Sequence, residues 1–319
     1  GVKQLISESY NIIDVDMSLP VPSDISMLLI NGVTDSLTAT QMDNLTNFIN
    51  NGKNILWTQS RVDVSLNQQI GFFEGKSISS NVFDFLNIYG VNIEENLLLD
   101  KSNGGINIPQ RVSIFTTWAS MDYPFFPTIT RFNKENNIVG GLEKIQLHFC
   151  SEIKIDSLAS NVTPLMYTSR NSGTMAGFYN LSPNTDNSPN PILNNLNEGK
   201  KIAGVLIDTE SGGNIVLVSE SGIFSDPVDQ QLQRVFAERE QDNYTLFENS
   251  VDYLMGDENL LQLRSREVLD RPLVELDDNT KSWWKWFNIL LSPILILSLG
   301  FTIFRRRKKS SDELKRRYG

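Results

Sequence analysis

Residues 26–58 read SMLLINGVTDSLTATQMDNLTNFINNGKNILWT, and this stretch decides the fold. MLLIN (Met27–Asn31) and NILWT (Asn54–Thr58) are short apolar runs of the kind that form buried strands. Between them, Thr38 and Gln41 form a T-x-x-Q capping box, which predicts the start of a helix. A strand, a helix and a second strand joined by short loops predict a βαβ crossover and therefore a parallel sheet.

Further strands and helices are predicted within residues 202–254. IAGVLID (Ile202–Asp208) and NIVLVSE (residues 214–220) are apolar strands, and the Ser-Gly-Gly between them indicates a hairpin. Two helical stretches follow, over residues 229–240 and 244–254. The second carries an apolar stripe suited to covering one face of a sheet.

The middle of the chain is less regular. We expect a helix over residues 82–89, strands over 96–100 and 145–155, and a surface loop over 180–197, which is rich in Pro, Asn and Ser. The fold class expected from the sequence is α/β, with a mostly parallel sheet flanked by helices and one C-terminal transmembrane helix.

The C-terminal stretch of the chain gives that last prediction. Residues 286–304 contain no charged side chain, and RRRKK follows at once at residues 305–309. About 20 apolar residues suffice for an α-helix to cross a bilayer, and Lys and Arg collect on the cytoplasmic side. A buried core helix is the alternative, since polar residues and Pro293 interrupt the run.

The membrane interpretation divides the chain into four parts. Residues 1–258 are then an extracytoplasmic α/β domain, 259–282 a linker, 283–304 the transmembrane helix and 305–319 a basic cytoplasmic tail. The expected location is the bacterial inner membrane, with the large domain in the periplasm. Because the chain begins at Gly1, we expect an upstream export signal or transmembrane helix in the natural protein.

Composition excludes several classes of protein. The formal net charge is −10, and an acidic surface repels phosphate backbones, so nucleic acid is not an expected partner. Cys150 is the only cysteine, so disulfides play no part.

Catalytic and metal motifs are also missing. His148 and Cys150 would share one face of a strand, as a nucleophilic pair requires, but small residues in a strand are more often core filler. The sequence has no P-loop and no spaced metal-ligand motif, so we expect no cofactor, no metal and no catalytic residue.

Two groups of residues remain as candidates for ligand or partner contact. The first consists of the loops that follow the predicted parallel strands, because ligands of parallel sheets bind at the carboxyl ends of the strands. They contain Asn31 and Gly32, then Gln59, Ser60 and Arg61, and finally Ser219, Ser221 and Gly222. Ordinary turns are the alternative interpretation of all three loops.

The second group lies in the segment WASMDYPFFP and comprises Trp118, Tyr123, Phe125 and Phe126. Aromatic residues anchor protein interfaces, so an exposed contact site is one interpretation. The other is a loop that plugs into the core, and the sequence does not decide between them.

Several ordered blocks resemble a known family. They are NFINNGKNILW (residues 47–57), LNIYGVNI (86–93) followed by LLLD, MDYPFFP, IVGGLEKIQLHF (138–149) and VDYLMGDENLLQLRSREV (251–268). In this order they resemble the gliding-motility ABC-transporter auxiliary family GldG of Bacteroidota, over essentially the whole chain.

The resemblance implies a non-enzymatic accessory subunit, anchored in the membrane, that works with a separate ABC permease and ATPase. It also implies an amidotransferase-like fold without catalytic residues. SESGIFSD (residues 219–226) departs from the acidic or Gly-rich turn of the family, which puts a site there in doubt. An envelope hydrolase or transferase and a glycan- or peptide-binding receptor are the alternatives. The transported substrate and a homo- or hetero-oligomeric state stay open.

Overall fold

A computed structural model of the protein describes residues 7, 9–67, 72–112, 115–183, 190–194, 196–224, 241–256 and 278–318. The chain divides into two compact units, Gly1–Leu269 and Asp270–Gly319. The strands of the first unit are β1 (Met27–Asn31), β2 (Asn54–Thr58), β3 (Val62–Asn67), β4 (Phe72–Ser77), β5 (Val91–Ile93), β6 (Asn96–Asp100), β7 (Asn103–Val112), β8 (Phe115–Ile129), β9 (Arg131–Phe132), β10 (Ile145–Gln146), β11 (Ile153–Ile155), β12 (Val162–Tyr167), β13 (Ser172–Ala176), β14 (Ile202–Asp208) and β15 (Asn214–Val218). The helices described in this unit are α1 (Ala39–Asn50), α2 (Val82–Ile88), a 3-10 turn (Pro191–Asn194) and α3 (Gln241–Met255).

The predicted βαβ unit is confirmed. Strands β1 and β2 pair in parallel, with Met27 opposite Asn54 and Asn31 opposite Thr58. Helix α1 begins with the expected capping box, in which the Thr38 hydroxyl accepts the Gln41 N–H and the Gln41 side chain accepts the Thr38 N–H.

The expectation of a mostly parallel sheet is wrong. The largest sheet has eight strands, in the order β1-β2-β15-β14-β11-β5, with β12 beside β14 and β9 beside β12. Only β1, β2 and β15 run in parallel, and the other pairs in this sheet are antiparallel. Three smaller sheets, β10-β8-β7, β13-β6 and β3-β4, are also antiparallel.

Connection length accounts for part of the difference. A parallel pair needs a crossover of a dozen or more residues, whereas antiparallel neighbours can be joined by a tight turn. Helix α1 supplies one such crossover, and the excursion from β2 to β15 supplies the other. The predicted β14–β15 hairpin is confirmed, with Asp208 opposite Asn214, so a tight turn sets that pair antiparallel. The other antiparallel pairs of this sheet join strands that are distant in sequence, such as β5 and β11.

Other local predictions have mixed outcomes. Helices α2 and α3 and strand β6 are confirmed within a few residues. The expected strand over residues 145–155 is wrong, because it is broken into β10 and β11 and Phe149 adopts a left-handed φ of 51° between them. The helix expected over 229–240 lies outside the described residues, as do 184–189 and 195 of the loop expected over 180–197.

Two hydrophobic clusters cover opposite faces of the main sheet. Because neighbouring residues of a strand point to opposite faces, Leu56 of β2 joins one cluster with Val216 and Leu246, while Ile55 and Trp57 join the other. Helix α3 covers the first face, and helices α1 and α2 cover the second. A third cluster, the aromatic cluster, lies under strands β6, β8 and β13.

The described part of the second unit is the helix α4 (Asp278–Tyr318). The expectation of a transmembrane helix over residues 283–304 is wrong. Among the residues that the structure describes, none of the helices combines the length and the sustained apolarity that a bilayer crossing requires. Asn288, Pro293 and Gly300 interrupt the apolar stretch.

The cap of α1 gives a first prediction. Replacing Thr38 by Ala removes the acceptor for the Gln41 N–H, so we expect the free energy of unfolding to fall by about 1 kcal/mol. Thr40→Ala is the matched control. Thr40 is the exposed second residue of the helix, and Ala at that position favours helix formation. Urea denaturation of both variants measures the difference; equal stabilities would contradict the role of the cap.

Asp100 gives a second prediction. This carboxylate is fully buried at the end of β6 and accepts hydrogen bonds from Ser102 N (2.9 Å), Ser169 N (2.6 Å) and the Ser169 hydroxyl (2.5 Å). Burial raises its pKa, against the opposing effect of these hydrogen bonds and of Arg131. The folded protein therefore holds a proton at Asp100 at a higher pH than the unfolded chain does.

The stabilising contribution from that proton is complete below the usual carboxyl pKa and is lost as the pH rises through the raised folded value. In the variant Asp100→Asn this site no longer titrates. We expect the melting temperature of the wild type to fall relative to that of the variant as the pH rises from about 4 towards neutrality. A constant difference between the two proteins across that range would refute the raised pKa.

Candidate functional site

The three loops predicted from the parallel strands meet at one edge of the main sheet. They follow β1, β2 and β15, which are adjacent and parallel, so their carboxyl ends share that edge. We call the loops the loop junction, and it consists of Asn31 and Gly32, Gln59 to Arg61, and Ser219 to Gly222. The structure thus brings the predicted residues together, while binding by them stays a prediction.

Asn31 and Gln59 fasten the first loop to the other two. The Asn31 side-chain oxygen accepts hydrogen bonds from the Thr58 hydroxyl and from Gly222 N (2.9 Å). The Gln59 amide forms two bonds with the backbone of Val33, accepting from N at 2.7 Å and donating to O at 3.0 Å. Gln59 is fully buried, so these bonds satisfy polar groups that water does not reach.

Ser60 and Ser221 join the second and third loops. The Ser221 hydroxyl oxygen accepts from Ser60 N at 2.9 Å and lies 3.1 Å from the Ser60 hydroxyl oxygen. The Ser60 hydroxyl donates its one proton to Val62 O at 2.9 Å, so the Ser221 hydroxyl is the donor between the two. Both hydroxyls are therefore used in holding the junction together.

Gly32 makes this close approach feasible. Its φ of 69° lies in the left-handed region, and a Cβ placed there would lie 3.0 Å from the Cβ of Ser221. Any other residue would strain the backbone and separate the first loop from the third.

Arg61 connects the junction to the far part of the sheet. Its backbone N–H donates to the Ser151 hydroxyl at 2.9 Å, and Ser151 N donates to Ser219 O at 3.0 Å. Its Nη1 donates to Ile93 O at 2.8 Å and to Asn92 at 3.3 Å, while the guanidinium lies 4.6 Å from the ring centre of Phe83. Arg61 therefore links the junction to β5, and its guanidinium brings a positive charge to the junction.

Glu220 was not singled out from the sequence. It is 1% exposed, and its carboxylate accepts the backbone N–H of His148 at 2.8 Å. The sequence shows only an acidic residue between two serines, in SESG. It does not indicate that Glu220 is buried, because burial of a charged residue in a turn depends on packing against distant residues.

His148 and Cys150 do not form the pair that a continuous strand would present, because residues 147–150 lie between β10 and β11. The His148 ring packs against Phe126 at an angle of 35°, with ring centres 4.2 Å apart, and Cys150 is fully buried in the first hydrophobic cluster. Burial raises the pKa of the Cys150 thiol well above its usual value, and the charges of Glu220 and Asp100 raise it further. The reactive thiolate is therefore disfavoured.

The aromatic segment divides between the two interpretations. Tyr123, Phe125 and Phe126 are fully buried in the aromatic cluster, and the Tyr123 hydroxyl donates to Leu181 O at 2.6 Å. Trp118 is 46% exposed. Within the described residues, no group of three or more His, Cys, Asp or Glu side chains could hold a metal ion.

Comparisons with known proteins place this chain in a family. The family model described as an ABC-type uncharacterized transport system, of the auxiliary type, matches residues 1–256. An uncharacterized protein of Borreliella burgdorferi is 24% identical over 309 residues, which are 91% of this chain and 58% of that protein. The chain thus spans less than two thirds of this curated relative.

Two solved structures show weaker likeness. The N-terminal domain of mmIFT52 is 12% identical with a TM-score of 0.46, covering 80% of this chain and 90% of that one. A ThuA-like protein from Parabacteroides merdae is 11% identical with a TM-score of 0.39, covering 80% and 83%. Because the family model covers every strand and the first three helices described here, the chain belongs to the family of auxiliary proteins of ABC-type transport systems.

Proposed function

We propose that this protein is a non-enzymatic accessory subunit that works with a separate permease and a separate ATPase of an ABC transporter. The observation that carries the proposal is the family match over residues 1–256. The resemblance of the sequence blocks to gliding-motility auxiliary proteins supports a role in gliding motility. It also supports a place at the bacterial inner membrane, with the first unit on the periplasmic side.

The chemistry of the loop junction fits a binding role better than catalysis. The hydroxyls of Ser60 and Ser221 and the amide of Gln59 are engaged with neighbouring loops. These bonds fix the exposed Asn31 and the half-buried Gly222 in one arrangement, so the accessible part of the junction is preorganised. Such surfaces bind a protein partner at low conformational cost. We assign the contact with the transporter to this junction.

A pair of matched glycines tests this assignment. Gly222 lies in the junction, with φ 80°, and Gly212 lies in the β14–β15 turn at the opposite end of β15, with φ 87°. A Cβ at either position meets no atom within 4 Å. Arginine at either site therefore adds the same charge and bulk, and the same strain of roughly 1 to 2 kcal/mol.

We expect Gly222→Arg to reduce the permease and ATPase that co-purify with this protein from mild detergent extracts by about tenfold or more, as a blocked interface centre does. Gly212→Arg should retain both. Equal recovery with the two variants would move the contact away from the junction. Recovery of the wild type without any permease or ATPase would refute the proposed function itself.

Cys150 tests the non-enzymatic part of the proposal. Because its thiol is buried and its pKa is raised, we expect iodoacetamide to leave Cys150 unmodified in the folded protein at neutral pH and to alkylate it fully in urea. Mass spectrometry measures both. Rapid alkylation of the folded protein, together with loss of function in Cys150→Ala, would favour the envelope hydrolase or transferase.

A further inference from the structure

The guanidinium of Arg61 is partly withdrawn from water and held in one orientation. Arg61 is half-buried in the loop junction, shortly after β2 ends. Its Nη1 donates to Ile93 O at 2.8 Å and to the Asn92 side chain at 3.3 Å, and the ring centre of Phe83 lies 4.6 Å from the guanidinium carbon. Neighbouring residues therefore fix this cation before any ligand binds.

The charge of Arg61 has no counter-charge within the protein. In the part of the chain that the structure describes, Arg61 forms no ion pair with a carboxylate. Lys201 is also half-buried and shows the contrasting arrangement, since its Nζ lies 3.4 Å from Glu152 and 3.1 Å from Glu198. A guanidinium stays charged at physiological pH, and a partly buried charge is stabilised by an opposite charge.

The guanidinium also keeps donors that the fold does not use. Neither Nε nor Nη2 of Arg61 forms a hydrogen bond with a described residue. Nε is buried and Nη2 is not, so a ligand can reach Arg61 through Nη2. Hydrogen bonds between a guanidinium N–H and an anionic oxygen are about twice as strong as those between neutral groups.

The neighbouring charges select the class of anion. The carboxylate of Glu94 accepts the Asn92 amide at 2.6 Å and lies 3.4 Å from Lys154, so it is already paired. Glu220 is buried and accepts the backbone N–H of His148. One guanidinium matches one negative charge, and a chain of formal charge −10 repels ligands that carry several. A carboxylate fits these conditions better than a phosphate dianion.

We infer that Arg61 binds a carboxylate, which an acidic side chain of the transporter supplies. The source of the carboxylate rests on the proposed function, whereas the site itself follows from Arg61 and its surroundings. Because Phe83 and Ile93 already hold the guanidinium, the partner's carboxylate binds without ordering a mobile side chain, which lowers the entropic cost.

Acetate probes the site in the full chain at neutral pH. Replacing sodium chloride by sodium acetate at constant ionic strength should raise the melting temperature of the wild type by about 2 to 4 °C more than that of Arg61→Gln. Arg170→Gln is the matched control, because it removes the same charge from an exposed position in the first unit. It should respond like the wild type, since a general effect of the salt acts on every variant alike.

A measurement on the wild type covers the case in which Arg61→Gln does not fold. Nε of Arg61 is buried, so its N–H exchanges slowly with water and can be followed by nitrogen-15 NMR. Acetate at Nη2 should shift this resonance, and the shift should saturate as the acetate concentration rises. The Nε–H of the exposed Arg170 should not show a saturating shift.

Co-purification identifies the source of the carboxylate. Arg61→Gln should reduce the permease recovered from mild detergent extracts by about fivefold, as loss of one member of a partly buried charge pair does, and Arg170→Gln should not. Equal recovery with both variants, together with a response to acetate, would show that the site takes a free carboxylate and would overturn the assignment to the transporter.

Two results would overturn the carboxylate site itself. They are equal acetate gains in the wild type and Arg61→Gln, and a wild type that shows neither a gain nor an NMR shift. Recovery of the wild type without any permease would instead refute the proposed function and, with it, the transporter as the source. The acetate measurements do not involve the permease, so the two failures are distinguishable.

Discussion

The parallel pairing of β1, β2 and β15 is the constraint on which the rest of the structure depends. The register aligns Asn31 with Thr58 and Thr58 with Val218, so three chain segments far apart in sequence end at the same edge. The backbone continues this alignment beyond the strands, since Gly32 N donates to Thr58 O and Gln59 N donates to Val218 O. The loop junction is the direct result.

Most polar groups at that edge form hydrogen bonds with one another. Gln59, Ser219 and Glu220 are buried, and a buried polar group without a partner costs stability, so each must be hydrogen-bonded within the protein. A junction organised in this way has little freedom to reorganise around a reacting substrate. It is well suited to present a fixed surface, which agrees with membership of a family of transport auxiliaries.

What the sequence predicts correctly is local. The capping box of Thr38, the helical spacing of α3 and the tight turn before β15 each lie within a few residues of the structure they specify. Because β1, β2 and their carboxyl ends follow from one βαβ unit, the junction residues could also be chosen from the sequence. The direction of the remaining strands could not, because it depends on which distant strand each one pairs with. Phe149 also could not be predicted from local sequence. The alternating pattern predicts an extended strand, whereas tertiary contacts hold Phe149 at a left-handed φ.

The aromatic segment shows how one motif can be divided between the core and the surface. Tyr123, Phe125 and Phe126 build the core that anchors the paired strands β7 and β8, whereas Trp118 lies beyond that core. The sequence shows the same residue types throughout, and only packing against β6 and β13 separates buried from exposed positions. Glu220 was missed for a similar reason, because its burial depends on the residues around His148.

The proposed contact between the loop junction and the transporter is tested most directly by photo-cross-linking in native membranes. A photoreactive side chain replacing the exposed Thr34, next to the Val33 backbone held by Gln59, would lie at the junction, and one replacing the exposed Glu210 would lie at the opposite end of β15. We expect position 34 to cross-link to the permease and position 210 not to do so. Cross-links to the permease from position 210 alone, or from neither position, would contradict it.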